Sequence, residues 1–126
     1  MKILFNILLI LSFFFETIAA MSLINGPEGI TNSGLGNQWS MHYGFAALSI
    51  ASVSLWAWPY RTNLAVVTCT LGILFIFHTG LSISLNIAGD QQAGMTIHSL
   101  LSILSLLLLT QRLRLCSKNN EPISNE

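Results

Sequence analysis

The apolar positions of this chain fall into four long runs, about residues 3 to 24, 41 to 59, 63 to 87 and 91 to 111, each interrupted by only a few polar side chains. Every run is close to the ~20 residues a helix needs to cross the hydrocarbon core of a bilayer at 1.5 Å per residue. Turn-forming stretches stand between them. "NGPEGITNSGLGNQ" holds a proline and four glycines, Gly26, Gly29, Gly34 and Gly36, while "WPYRTN" and "NIAGDQQ" are short connections. Short connections make the helices they join antiparallel neighbours. The pattern predicts an all-α fold: a four-helix transmembrane bundle running up-down-up-down over residues 1–114, followed by a disordered cytoplasmic tail at 115–126.

Composition agrees with the pattern and narrows the function classes. The chain is 52% hydrophobic and 8% charged, against roughly 25% charged residues in a soluble domain, so the lipid bilayer is its solvent. Five basic and five acidic residues cancel, and no Lys/Arg cluster exists to track phosphates, which removes nucleic acid as a partner. Cys69 and Cys116 are far apart and form no C-x-x-C pair, so a thiol-disulfide relay has no support; each reads as a small filler or an inert thiol.

Basic side chains also set the orientation, because Lys and Arg are retained on the cytoplasmic side. With the N-terminus inside, Lys2, Arg61, Arg112, Arg114 and Lys118 all fall there, and Glu28 and Asp90 fall outside. Both termini are then cytoplasmic, in a bacterial inner membrane. Trp39 marks the outer interface, and Trp56, Trp58 and Tyr60 the inner one. The first run has a second reading as a cleavable signal peptide ending at Ala19 or Ala20. Glu16 and Ile18 fit a cleavage region poorly, and the apolar run continues through "MSLI" to spanning length.

Charged groups inside hydrocarbon are costly and mark sites or pathways. Counting down from the outer ends, Glu16, His78 and His98 each lie roughly 10 to 14 Å deep at the helical rise. Antiparallel threading therefore brings three residues distant in sequence to one level. Helical spacing joins Ser12, Glu16 and Ala20 on the first helix, His78, Ser82 and Asn86 on the third, and Gly94, His98 and Ser102 on the fourth. Small and polar faces of this kind pack inward in membrane bundles. His42 sits at the outer mouth, as an interfacial imidazole or a gate.

Three readings of the constellation are open. In the first, Glu16 and the histidines only fix helix register. In the second, Glu16, His78 and His98, with His42, Ser82 and Asn86, form a proton-linked or small-ligand site open to the outside. In the third, Glu16, His78 and His98 hold a transition metal, or the two histidines are axial haem ligands. No resident cofactor is expected in the second reading. Ser99, Ser102 and Ser105 read as close-packing positions bonded to their own backbone, and no Ser/His/Asp set has a sequence signature, which disfavours an enzyme. The leading expectation is a binding or transport component, with a non-catalytic scaffold or accessory subunit as the alternative. Four short helices enclose little space, so a homo-oligomer or a membrane partner subunit is expected.

Two families bear on these residues. A glutamate within "LSFFFETIAA" is similar in layout to the small multidrug resistance transporters. Their A-Y-A-x-W-x-G-x-G type third-helix stretch is replaced here by "TCTLGILFIFHTG", and the charge bias is stronger. The segments "FFETIAAMSLINGPEGI", "MHYGFAALSIA" and "FHTGLSISLNIAGDQQAGMTIHSLLSILSLLLL" more closely resemble the DoxX-like group of small bacterial four-helix membrane proteins, over about residues 10 to 110. That resemblance implies a fold and carries over no catalytic residue.

Overall fold

A computed structural model of the chain describes residues 1–26, 39–89 and 91–116. The described residues are all-helical, without strands, and contain five α-helices: α1 (Lys2–Ile24), α2 (Trp39–Ala57), α3 (Leu64–Ala88), α4 (Gln92–Thr110) and α5 (Arg112–Cys116). Glu28, Gly29, Gly34, Gly36, Asp90 and Lys118 lie outside them, so the expectations placed on those residues do too.

Local chemistry explains where the helices stop. Pro59 cannot continue α2 in regular form, and Trp58–Tyr60 close it with a 3₁₀ turn. Asn63 then caps α3, its side-chain oxygen accepting from the Ala65 and Val66 amides at 3.0 and 3.2 Å. The other end of α3 is closed by Gly89 at φ 72°, whose amide donates to Leu85 O at 3.0 Å. A side chain is disfavoured in that left-handed conformation.

Three of the helices, α1, α3 and α4, are long and apolar enough to cross a membrane. The second helix has 19 residues, a spanning length, but Ser40, His42, Ser49, Ser52 and Ser54 leave it short of that apolarity. The outward faces are apolar: Ile3, Ile18, Ile76, Ile87, Leu100 and Leu107 are all more than half exposed. Exposed aliphatic faces on this scale suit acyl chains and would be a liability in water.

The backbone associations are closest between α1 and α2 and between α3 and α4. The first pair meets along a seam of small residues, with Gly44, Ala47, Ala51, Ser54 and Ala57 buried on α2. A Cβ placed on Gly44 would stand 2.8 Å from Ile24 Cγ1 and 3.0 Å from the Ala20 carbonyl oxygen, so the two backbones approach this closely only because residue 44 has no side chain. The second pair is joined by hydroxyls. Thr79 and Ser102 share a hydrogen bond of 2.6 Å, and Ser82 bonds Ser99 one turn further along.

Two interior layers follow. Toward the end that holds Lys2, Arg61 and Leu115, the core is apolar: Phe5, Leu8, Leu9, Val67, Leu71, Leu74, Leu101, Leu108 and Leu115 are all at most 5% exposed. Ser105, buried in the same region, returns its hydroxyl to Leu101 O at 2.7 Å. Toward the other end the buried side chains become polar: Ser12, Glu16, His78, His98 and Ser102. The helix α5 changes one expectation. Leu115 and Cys116 are helical, and Leu115 is 1% exposed within the apolar core, so no tail begins at 115. Residues 117–126 lie outside the described part.

Candidate functional site

The polar layer is assembled from three helices. Leu8, Leu9 and Ser12 turn α1 toward α3 and α4, whereas Ala20 and Ile24, further along, turn toward Gly44 of α2. Successive steps of four residues rotate a helical stripe by about 40°, since each residue turns the helix by about 100°. Glu16 therefore sits between Ser12, which meets His78 of α3, and Ala20, which meets Gly44 of α2. On α3 the buried positions Val67, Leu71, Leu74 and His78 alternate steps of four and three, which keeps them on one line. His98 closes the set from the buried face of α4.

The three side chains meet. His78 Nδ1 and His98 Nδ1 are 3.0 Å apart, so in the metal-free pair one nitrogen carries the proton and donates to the other. Glu16 Oε1 lies 3.6 Å from His78 Nδ1 and 3.7 Å from His98 Nδ1. Both distances are too long for hydrogen bonds, and Glu16 Oε1 is buried without a hydrogen-bond partner among the described residues. His78 Nε2 is 3.4 Å from Ser12 Oγ. Ring edges wall the group: Phe15 and Phe77 pack against His98 at centroid distances of 5.1 and 6.3 Å in T-shaped contacts. Such rings exclude water and fix the imidazole planes.

A cavity of about 530 Å³ opens beside the group. Glu16 and His98 form its deep wall, and Tyr43, Ser84, Gln91 and Gly94 lie among its other lining residues. Gln91 and Gly94 belong to the end of the molecule where α3 hands over to α4, so the cavity leads from that end inward to the carboxylate and one imidazole.

Of the six candidate residues, Glu16, His78 and His98 are brought together and the other three are not. Ser82 spends its hydroxyl on Ser99. Asn86 is exposed, because two steps of four residues from His78 carry it about 80° off the inward line. His42 is exposed as well, with its ring 6.4 Å from that of Trp39, and it takes no part in the cluster. Sequence reasoning did not single out Tyr43, Phe15 or Phe77; nothing in their spacing separates them from ordinary aromatic positions.

The donor atoms can be tested against the groups expected for them. Glu16, His78 and His98 are a set of buried residues able to hold a metal ion. A haem between the two imidazoles is a poor fit. Two axial nitrogens stand about 4 Å apart, twice a metal-to-imidazole bond of about 2 Å, and a macrocycle must pass between them. Here the nitrogens touch at 3.0 Å, and the hydroxyl pairs hold α3 against α4 on the same side.

Comparison of the chain with protein-family models, with curated proteins and with solved structures finds no match. The chemistry of the site therefore rests on its own geometry.

Proposed function

We propose that the protein is a polytopic inner-membrane protein of four spans, α1 to α4, with both termini cytoplasmic, and that it binds a small ligand in proton-linked fashion at Glu16, His78 and His98. It acts as a binding or transport component whose site is reached from the outer face through the cavity. The lengths of the helices, the grouping of Lys2 and Arg61 at one end, and the aromatic residues near both ends support the topology.

One observation carries the functional reading. Glu16 is 1% exposed, yet Oε1 has no hydrogen bond to any of the described residues, next to two imidazole nitrogens and beside a cavity. A carboxyl retained only to fix helix register should have both oxygens satisfied, because an unpaired buried polar atom costs about 1–3 kcal/mol. Register between α3 and α4 is already supplied by Thr79 with Ser102 and by Ser82 with Ser99. An unpaired acceptor facing imidazoles suits a site completed by what enters it.

The test compares the wild type with Glu16→Gln and His98→Gln in lipid nanodiscs. Wild-type protein should bind or release protons between about pH 5 and 8, and each variant should lose that exchange while keeping its helical content and melting temperature. Unfolding of both variants, together with a wild type that exchanges no protons, would instead establish the scaffold role.

A further inference from the structure

We propose that Glu16, His78 and His98 bind one divalent first-row transition metal ion, through Glu16 Oε1, His78 Nδ1 and His98 Nδ1. This deepens the functional reading above and rests on it, since it names the ligand of the same site.

The separations single out an ion. The three atoms stand 3.0, 3.6 and 3.7 Å apart, and the circle through such a triangle has a radius of about 2.0 Å, the bond length of zinc to imidazole nitrogen or carboxylate oxygen. A hydrogen-bonded cluster has no reason to hold the carboxylate oxygen at 3.6 and 3.7 Å, beyond bonding distance from both nitrogens. Ligands on opposite sides of a shared ion do. All three groups are buried, which strengthens an ion's hold on a carboxylate.

The donor types narrow the ion. Two imidazoles and one carboxylate suit zinc, iron, cobalt or manganese. Calcium and magnesium prefer six or more oxygens. Copper(I) prefers sulfur, and Cys69 is exposed elsewhere on α3. Three protein ligands leave a further position for water or an incoming ligand, the arrangement of exchangeable rather than purely structural zinc sites. The cavity bordered by Glu16 and His98 supplies the route to it.

Loading moves protons in a definite way. In the metal-free pair one Nδ1 carries a proton; in the loaded site both Nδ1 lone pairs face the ion, so that ring releases its Nδ1 proton and takes one at Nε2. Glu16 enters as the carboxylate. His78 Nε2–H then donates toward Ser12 Oγ, 3.4 Å away, which makes Ser12 a positioning residue for the His78 ring.

Full-length protein, purified in detergent and stripped with chelator, is titrated with Co²⁺ and followed by its ligand-field absorption. The expected result is one Co²⁺ per chain, displaced by Zn²⁺. Glu16→Gln and His98→Gln should each weaken Co²⁺ binding by more than 10-fold, Ser12→Ala by about 10-fold, and His42→Gln should leave it unchanged. Circular dichroism checks folding, and Glu16→Asp, which keeps the charge but shortens the arm, should shift the absorption bands without unfolding. A folded wild type that takes up no Co²⁺, or takes it up equally in all variants, overturns the proposal. If that wild type still exchanges protons through Glu16, only the metal assignment falls; if it exchanges none, the ligand-site reading falls with it.

Discussion

The interior of this protein has two halves built on different terms. The half near Lys2 and Leu115 is closed mainly by aliphatic and phenylalanine side chains; of its buried hydroxyls, Ser105 is satisfied within its own helix and Ser54 has no partner among the described residues. The half toward Gly89 buries an acid and two imidazoles beside a cavity, with one carboxylate oxygen unpaired among the described residues. Surrounded by acyl chains, which are as apolar as leucine, the apolar half would gain no transfer free energy from packing and would be held by shape. The contrast places close apolar packing at one end of the helices and the buried acid and imidazoles at the other, the end to which the proposed ligand site belongs.

That division can be broken or sharpened by substitution. The largest effect expected is on binding. Glu16→Gln should abolish ligand binding, yet leave the melting temperature no lower than that of the wild type, because it keeps the shape of the side chain and Oε1 makes no hydrogen bond among the described residues; calorimetry alongside a binding titration reads both. A marked loss of stability would move Glu16 into the structural half of the account. Next comes Gly44→Val. A branched side chain would collide with Ile24 and the Ala20 carbonyl, and the α1 and α2 pair should lose about 3 kcal/mol, the upper range for overpacking, measured by unfolding in mixed detergent.

Leu74→Ala, in the apolar half, should cost roughly 2 kcal/mol, the low end for large-to-small changes because the transfer contribution is missing in lipid. Ligand binding should be unchanged. Thr79→Ala removes one interhelical hydroxyl bond and should cost about 0.6 kcal/mol, the mean for such bonds inside membranes. If Thr79→Ala proved more destabilising than Leu74→Ala, the polar half would be carrying the fold, and the proposed division would be reversed.

Much of this was legible along the chain. Apolar runs and turn chemistry placed the long helices, and counting helical rise put Glu16, His78 and His98 at one depth. Rotation was harder to read. A spacing of four residues keeps neighbours on one face for a single step, which is why His78 is buried and Asn86, two steps on, is exposed. The face that counts also depends on which neighbours each turn meets: α1 holds Ser12, Glu16, Ala20 and Ile24 all buried, Ser12 facing His78 of α3 and Ala20 and Ile24 facing Gly44 of α2. The seam of Gly44, Ala47 and Ala51 was hidden for a related reason, since small residues signal close approach only once a partner helix is known. A tail beginning at 115 is the expectation, but Leu115 joins the apolar core and Cys116 packs against it, so α5 runs on to Cys116.

The most direct test of the account is whether the two buried imidazoles touch. The chain has three histidines, so ¹⁵N-histidine NMR of metal-stripped protein in lipid is unambiguous. We expect one imidazole pair, His78 and His98, joined by a resolved coupling across a nitrogen-to-nitrogen hydrogen bond, with His42 exchanging freely with water. Three independent histidine side chains, each exchanging with solvent, would contradict the convergence of Glu16, His78 and His98 on which the proposed site depends.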